Sequence, residues 1–430
     1  MKRGTIKTFS VGCILLALFL SAFISLSQPV QAANTATVTV GGTPYAVAIT
    51  PDGKYAYVPN AENVSVINTA TNKVTATVTA RNWPAGIAIT PDGKYAYVPD
   101  TNTPTNQGGI VSVISIATNT VTATITVGGN PNHGVAITPD GKYVYVTNFD
   151  GTVAVISTAT NTVTANITIG TQSAPSVVST GPKTITIEGG STIPQAVAIT
   201  PNGEYAYVAN GDGTVSAINT TTNTVTATIT LAGNPNALAV TPNGEYAYVC
   251  AMNSSGMVTV INTATNTVTA TITGFGSPNG IAMTPDGRYA YVTDGFNNSV
   301  SVINTATNTV DRTVTVGTTP YGIAITPNGE YVYVTNLAYV ATDSPVVNWI
   351  GTVSVISTDA NTAPTDSSSP SPSPSPPALV SAFSTQSLTI IALIAVIIVL
   401  SAVIIAKRKT GKTRDKRQAS AENRLDNQAK

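Results

Sequence analysis

Charged residues and the side chains that most often perform catalysis are scarce in this sequence. Asp, Glu, Lys and Arg make up 9% of its 430 residues, which include one histidine and two cysteines. Only Cys250 lies beyond the first 32 residues, so no intramolecular disulfide can form once those residues are removed. We therefore expect the fold to be stabilised by packing alone.

Few groups remain for acid–base or metal chemistry. Residues 33–380 contain one imidazole, His133, one thiol, Cys250, and three arginines, Arg81, Arg288 and Arg312. A lone histidine is not a zinc site, and no Cys or His cluster has the spacing of metal ligands. We therefore expect no catalytic residue, no metal site, no cofactor and no enzymatic activity.

The charges that are present are distributed unevenly. Residues 33–380 carry 8 Lys and Arg against 17 Asp and Glu, a net charge of −9, whereas residues 407–430 are rich in Lys and Arg. An acidic exterior does not favour polyanions, so we expect no nucleic-acid partner.

A short phrase, Thr-Pro-Asp/Asn-Gly followed by Lys/Glu/Arg-Tyr-Ala/Val-Tyr-Val, occurs seven times. Its copies begin at Thr50, Thr90, Thr138, Thr200, Thr241, Thr284 and Thr326. Most of the spacings lie close to 42 residues, which is the length of a propeller blade.

One unit contains four predicted β-strands. In the first unit they are residues 45–50, 55–58, 64–67 and 74–78, which we name strands A, B, C and D in chain order. Alternating apolar residues, Thr, Val and Tyr favour strands, and Pro-Asp-Gly favours a tight turn between A and B. Fourteen of the 17 tyrosines fall in the Tyr-x-Tyr of strand B, which indicates packing rather than binding.

The seventh unit breaks off near Asn361 without a strand D. Residues 36–40 match the strand D of other units, so we expect them to pair with residues 353–356 and close the ring. The predicted fold is all-β, a seven-bladed β-propeller with four antiparallel strands per blade, followed by one C-terminal transmembrane helix.

The two ends of the chain suggest export and anchoring. Residues 1–32 have basic residues, an apolar run and a final Val-Gln-Ala, as in a signal peptide. The remaining segments are predicted to be the propeller ectodomain (33–362), a Ser/Pro-rich stalk and juxtamembrane segment (363–387), a transmembrane helix (388–406) and a basic cytoplasmic tail (407–430). We expect a single-pass protein of the cell membrane with the propeller outside.

Strand B carries a second signature. It reads Tyr-Val-Thr-Asn at residues 145–148 and 333–336, Tyr-Val-Pro-Asn at 57–60 and Tyr-Val-Ala-Asn at 207–210. Together with the turn phrase, it resembles the YVTN β-propeller repeat family, especially surface-layer-type propellers of methanogenic archaea. The resemblance implies a propeller at the cell surface or secreted, and such relatives include both envelope proteins and enzymes.

The irregular segments are predicted to lie on one face. In an antiparallel blade, B–C and D–A connections share one end, and the insertions at 101–109, 170–194 and 337–350 all fall in them. Exceptional aromatic and polar residues fall in D–A turns near the channel. This candidate binding face consists of Tyr45, Trp83, Asn132, His133, Asn236, Asn279 and Tyr321. The alternative is that turns are polar by nature and that neighbouring prolines merely order them.

Five Asn-x-Ser/Thr triplets are candidate glycosylation sites. They are Asn63, Asn166, Asn219, Asn253 and Asn297. A chain so rich in Asn and Thr also produces such triplets by composition.

These observations favour a membrane-anchored, non-catalytic structural or interaction module of the cell envelope, of surface-layer or adhesion type. Its expected partners are other cell-surface proteins or envelope polysaccharide. The alternative is a propeller enzyme of lactonase or quinoprotein-dehydrogenase type acting outside the cell, which would need carboxylates or histidine grouped at the channel.

Overall fold

Seven four-stranded antiparallel sheets form the blades of a propeller in the computed structural model of the chain. The prediction of an all-β, seven-bladed propeller is therefore confirmed. The structure describes residues 35–80, 83–101, 109–169, 176–179, 185–188, 192–253, 255–337, 339–340 and 348–358. The chain divides into two units, Met1–Pro364 and Thr365–Lys430, and every described residue belongs to the first.

Strands A of neighbouring blades contact one another along the central channel, and strands D lie outermost. The N-terminal strand and the first three blades comprise β1 (Thr35–Thr39); β2 (Ala48–Ile49), β3 (Tyr55–Asn60), β4 (Asn63–Asn68) and β5 (Lys73–Thr79) in blade 1; β6 (Ala88–Ile89), β7 (Tyr95–Asp100), β8 (Ile110–Ser115) and β9 (Thr120–Thr126) in blade 2; and β10 (Pro131–Ile137), β11 (Tyr143–Asn148), β12 (Thr152–Ser157) and β13 (Thr162–Thr168) in blade 3.

A two-stranded hairpin precedes the fourth blade. Its strands are β14 (Ser176–Ser179) and β15 (Ile185–Glu188). The next three blades comprise β16 (Pro194–Ile199), β17 (Tyr205–Asn210), β18 (Thr214–Asn219) and β19 (Thr224–Thr230) in blade 4; β20 (Asn234–Val240), β21 (Tyr246–Met252), β22 (Gly256–Asn262) and β23 (Thr267–Phe275) in blade 5; and β24 (Pro278–Met283), β25 (Tyr289–Asp294), β26 (Ser299–Asn304) and β27 (Thr309–Thr315) in blade 6.

Blade 7 is closed by the N-terminal strand. Its strands A to C are β28 (Pro320–Ile325), β29 (Tyr331–Asn336) and β32 (Thr352–Ser357), and the short hairpin β30 (Tyr339–Val340) and β31 (Asn348–Trp349) lies between B and C. Strand β1 pairs antiparallel with β32, with Ala36 opposite Val355 and Val38 opposite Val353. The predicted closure is therefore confirmed, and it joins the two ends of the repeat array.

The Thr-Pro-Asp-Gly phrase forms the turn between strands A and B. In blade 1 the Thr50 hydroxyl donates to Asp52 Oδ1 at 2.7 Å and accepts the Tyr55 N–H at 3.1 Å. Gly53 has a φ of 72°, which explains why glycine occupies this position. The same hydroxyl–carboxylate bond in blade 3, from Thr138, lowers the pKa of Asp140 to about 2.

The second tyrosine of each Tyr-x-Tyr is fully buried between blades. These residues are Tyr57, Tyr97, Tyr145, Tyr207, Tyr248, Tyr291 and Tyr333. In six of them the hydroxyl donates to an asparagine Oδ1 in the C–D turn of the next blade, at 2.6–2.8 Å. The pairs are Tyr57–Asn119, Tyr97–Asn161, Tyr145–Asn223, Tyr207–Asn266, Tyr248–Asn308 and Tyr333–Asn72.

These asparagines have φ angles between 51° and 55°, a left-handed conformation that Asn tolerates better than most residues. The turn sequence therefore sets both the hairpin and the inter-blade contact. Blade 7 has no C–D turn, because its strand D comes from the other end of the chain. The Tyr291 hydroxyl instead accepts from Arg312 Nη2, on strand D of the same blade, at 3.2 Å, and Arg312 Nη2 also donates to the Thr358 carbonyl of blade 7 at 3.4 Å.

Several predicted segments lie outside the described residues. They are the signal peptide (1–32), the stalk (363–387), the transmembrane helix (388–406) and the basic tail (407–430). Within the part of the chain that the structure describes, no helix has the length and apolar character needed to cross a membrane.

Replacing Tyr207 by phenylalanine tests the inter-blade contact. The change removes the bonds to Asn266 Oδ1 and to the Thr263 carbonyl, at 2.7 and 3.0 Å. We expect the free energy of unfolding to fall by about 1–2 kcal/mol, because buried acceptors lose their donor. Urea unfolding of the full-length chain measures this change in the free energy of unfolding.

The control is Tyr205→Phe, because Tyr205 is only partly buried and belongs to the same strand. Equal stability losses in the two variants would contradict a specific role for the buried hydroxyl.

Candidate functional site

Each strand A has a proline at or near its start, and this proline pairs with a residue at or next to the end of strand B. These prolines are Pro44, Pro84, Pro131, Pro194, Pro235, Pro278 and Pro320. The residue after each proline occupies the same position at the D–A end of the channel. These seven residues, together with His133, define the channel mouth: Tyr45, Ala85, Asn132, Gln195, Asn236, Asn279 and Tyr321.

Three aromatic rings from different blades meet at the channel mouth. Tyr45 and His133 are stacked, with ring centroids 5.4 Å apart and an interplanar angle of 19°. Tyr321 packs edge-on against both, at 5.5 Å from Tyr45 and 6.2 Å from His133. Blades 1 and 3 are not adjacent, so the contact between Tyr45 and His133 reaches past blade 2 and lies over the channel.

Small residues allow the backbones of these aromatic residues to approach their neighbours. A Cβ atom on any of three glycines in the preceding blades would overlap with the carbonyl oxygen of one aromatic residue. The pairs are Gly86 with His133, Gly280 with Tyr321 and Gly322 with Tyr45. Blade 2 also has Ala85 where blades 1 and 7 have tyrosine, which leaves room for the stacked pair.

Amide side chains link the blades on the other part of the mouth. Asn132 Nδ2 donates to the Pro194 carbonyl at 3.0 Å and to Gln195 Oε1 at 3.1 Å. In the same way, Asn236 bonds to the carbonyl of Pro278 and Asn279 to that of Pro320, at 3.0 and 3.2 Å. Asn132 Oδ1 also accepts the His133 N–H at 2.9 Å, so this amide holds the backbone at His133.

His133 and Tyr321 are uncharged near neutral pH. Burial lowers the pKa of His133 below its ordinary value of 6.5 and raises the pKa of the Tyr321 hydroxyl. Among the described residues, neither the His133 ring nitrogens nor the Tyr321 hydroxyl has a hydrogen-bond partner. The mouth therefore presents a neutral imidazole, which can accept a proton, beside a phenol, which can donate one.

The part of the chain that the structure describes has no cluster of acidic, histidine or cysteine side chains suited to a metal ion. No group of three or more His, Cys, Asp or Glu side chains there could hold a metal ion. Cys250 is completely buried in β21, and burial raises the pKa of its thiol, so it is not a reactive thiolate.

The structure brings six of the seven candidate face residues to the channel mouth. Asn132, His133, Asn236, Asn279 and Tyr321 lie in strands A rather than in D–A turns, because pairing of the proline extends these strands. Trp83 lies apart from the ring cluster, 41% exposed in a D–A connection. Sequence reasoning missed Gln195, although its place after Pro194 is the same as that of Asn236 after Pro235.

The five candidate glycosylation residues differ in environment. Asn166, Asn253 and Asn297 are exposed, whereas Asn63 and Asn219 are partly buried. Asn63 is the first residue of β4, and its Oδ1 is buried. Asn219 Oδ1 accepts bonds from Thr221 and Thr222 within its turn. Glycosylation of these residues stays a prediction.

Grooves also lie on the opposite face, between blades. Those between blades 1 and 2 and between blades 3 and 4 each have a volume of about 760 Å³. They are lined by the repeated turns, whose carboxylates already bond to threonine hydroxyls and lysines, as Asp52 does to Thr50 and Lys54. Because the repeated turn residues line these grooves, the grooves are a consequence of the repeat. The residues of the channel mouth differ from blade to blade, so the mouth is the better candidate site.

The fold and the mouth together define a seven-bladed propeller with a polar and aromatic site on its axis. Residues 191–338 match the family model described as SMP-30/Gluconolactonase/LRE-like region. This segment holds Gln195, Asn236, Asn279 and Tyr321, but it spans less than half of the chain.

The other comparisons concern whole chains. No curated protein matches the chain. Among solved structures it is similar to Kuenenia stuttgartiensis hydrazine synthase, at 22% identity and a TM-score of 0.58, over 75% of this chain and 97% of that chain. At this identity the likeness shows the fold alone.

The expectation that the protein is not an enzyme is wrong, because the matched family model is named for gluconolactonase, an enzyme. The physical reason is that the blades form a closed ring. Scarcity along the chain does not prevent single residues from distant blades, such as Tyr45, His133 and Tyr321, from meeting at the axis. The resemblance to YVTN surface-layer propellers stays a prediction.

Because the chain has one histidine, His133 can be titrated by NMR without assignment ambiguity. We expect a pKa below 6.5 in the folded protein, since burial disfavours the imidazolium. In Tyr45→Ala, loss of the stacked ring admits water and moves the pKa towards 6.5. The unfolded chain binds the proton more readily, so folding stability falls as the pH drops below 6.5.

Tyr143→Ala is the control, because Tyr143 is 39% exposed near an A–B turn on the opposite face. A folded-state pKa of 6.5 or higher would contradict the burial of His133.

Proposed function

We propose that this propeller is a lactonase-type hydrolase whose active site is the channel mouth. The observation that carries the proposal is the contact of the chain's one imidazole with two tyrosine rings from other blades. The match of residues 191–338 to the gluconolactonase-like family model supports it, because that segment supplies the remaining arc of the mouth.

The proposed reaction uses groups that are free to act. Neutral His133 takes a proton from water as the water oxygen attacks the carbonyl carbon of a cyclic ester. The Tyr321 hydroxyl, kept protonated by its raised pKa, donates to the carbonyl oxygen as negative charge develops there. The acyl C–O bond of the ring then breaks, the leaving alkoxide takes the proton from His133, and the product is a hydroxy acid.

Other mouth residues hold and select the substrate. Asn132 positions His133 through the bond between its Oδ1 and the His133 N–H. Asn236 Oδ1 is a buried acceptor with no hydrogen-bond partner among the described residues, and a substrate hydroxyl or a bound water would satisfy it. Each step is assigned to side chains of this chain, since no group of three or more His, Cys, Asp or Glu among the described residues could hold a metal ion.

His133→Ala and His133→Gln test the proposal on a panel of lactones of different ring size and hydroxylation. We expect each variant to lower kcat/KM by about 100-fold or more, as removal of a general base does. In the wild type, kcat/KM should rise with pH and reach half its maximum below pH 6.5, because only the neutral imidazole accepts a proton.

Tyr321→Phe should lower kcat more than it raises KM, whereas Tyr331→Phe, on the opposite face, should behave as wild type. Turnover that is unchanged in both His133 variants would refute the assignment, as would a lack of turnover of every lactone by the wild type.

We further propose that the enzyme acts outside the cell, as a single-pass membrane protein held by residues 388–406 with residues 407–430 in the cytoplasm. The uncharged run followed by basic residues supports this topology. On intact cells, antibodies against the propeller should bind, and antibodies against residues 407–430 should bind only after permeabilisation. The reverse pattern would contradict the topology.

A further inference from the structure

Three exposed aromatic side chains, Phe149, Phe296 and Trp83, lie on one face. Phe296 is 76% exposed, Phe149 42% and Trp83 41%, and all three lie in B–C or D–A connections around the channel mouth. Phe275, by contrast, is buried. Tyrosines are also exposed on the opposite face, where they flank the repeated A–B turns, whereas Phe149, Phe296 and Trp83 flank the channel mouth.

The two exposed phenylalanines stand on well-ordered turns. The Phe149 N–H donates to the Asn130 carbonyl at 2.7 Å, and Gly151, with a φ of 83°, closes the turn. Beside Phe296, the Gly295 N–H donates to the Ser277 carbonyl at 2.8 Å, and Asn297 Nδ2 donates to Asp294 at 2.7 Å. Hydrogen bonds therefore hold both turns in place before any ligand arrives.

Their placement in the ring relates them to the proposed active site. Phe149 belongs to the B–C turn of blade 3 and Phe296 to that of blade 6, so both lie at a similar distance from the axis. Three blades of seven separate them by about 150° around the axis. A straight polymer that contacts the side chains of both Phe149 and Phe296 therefore passes over the channel mouth.

The charge of this face limits the classes of polymer that can bind to it. The six Lys and Arg of the described residues all lie at A–B or C–D turns or on strand D: Lys54, Lys73, Lys94, Lys142, Arg288 and Arg312. Acidic residues do occur at the B–C end of the blades. They are Glu62, Asp100, Asp150, Asp212 and Asp294. Within the described residues, this face therefore carries carboxylates and no cation, which disfavours binding of polyanions.

Aromatic faces combined with amides suit a polymer of uncharged sugars. Sugar rings have apolar C–H faces, which pack on aromatic rings, and hydroxyl edges, which bond to amides such as Gln195 and Asn236. We propose that the face binds an extended, uncharged polysaccharide, with Phe149 and Phe296 as outer contacts on either side of the mouth. This inference rests on the proposed function only in taking the mouth as the catalytic subsite.

The test measures binding of neutral oligosaccharides to the full-length chain by calorimetry. The probes are cello-, manno- and xylo-oligosaccharides of two to eight rings, with oligogalacturonates of equal length for comparison. We expect affinity for at least one neutral series to rise with length. Phe149→Ala and Phe296→Ala should each weaken binding of its longest member by about 5- to 10-fold and leave the disaccharide unchanged.

Tyr143→Ala, on the opposite face, is the matched control and should bind as wild type. The inference is overturned if no neutral series binds, if affinity does not depend on length, if the phenylalanine variants bind as wild type, or if oligogalacturonates bind more tightly. His133→Ala separates the two proposals. If it loses lactone turnover but keeps length-dependent binding, both stand, whereas length-dependent binding by a wild type without lactone turnover supports the polysaccharide surface alone.

Discussion

The buried tyrosine of strand B and its bond to the next blade determine how the propeller holds together. The hydroxyl crosses the blade interface and donates to an asparagine in left-handed conformation, as Tyr207 does to Asn266. Because each of these seven tyrosines is also packed in the core, burial of apolar surface and satisfaction of a polar group occur at one place. At the one interface that lacks a C–D turn, the Arg312 guanidinium donates both to Tyr291 of its own blade and to the Thr358 carbonyl of blade 7. The bond from Tyr333 to Asn72 joins the last blade to the first and completes the ring.

A closed ring allows single differences between blades to become a site. The positions after the first prolines are equivalent by repeat, yet they carry tyrosine, alanine, asparagine and glutamine. The asparagines bond to neighbouring blades, so they stabilise the inner ring, as Asn279 does through the Pro320 carbonyl. Among the described residues, the His133 ring nitrogens and the Tyr321 hydroxyl have no hydrogen-bond partner, although the Tyr321 carbonyl accepts from the Thr293 hydroxyl, so these side-chain atoms remain available to a ligand. Burial at the axis keeps both neutral, and this suits proton transfer to and from an uncharged substrate.

Much of the fold could be predicted because the sequence pattern of one blade occurs seven times. The turn phrase, the strand B tyrosines and the strand D match at residues 36–40 predicted the blades and their closure. Local pattern failed where a residue's role depends on another blade. Asn132 and Asn279 were predicted to lie in turns, but pairing of a proline with strand B makes them part of strand A. No role was predicted for Gln195, because nothing in the sequence of its own unit indicates the hydrogen bond that Asn132 donates to it.

The sequence alone thus determined the features that repeat from unit to unit. Strand lengths, turn types, blade number and the identity of the closing strand follow from patterns of residues near one another in the chain. Tertiary structure alone decided which rare residues meet. His133 lies 88 residues from Tyr45 and 188 from Tyr321 in the chain, yet ring closure brings their rings within 5.4 to 6.2 Å of one another. A count of residue types gave no sign of this contact, because distances across a closed ring depend on blade position and not on separation along the chain.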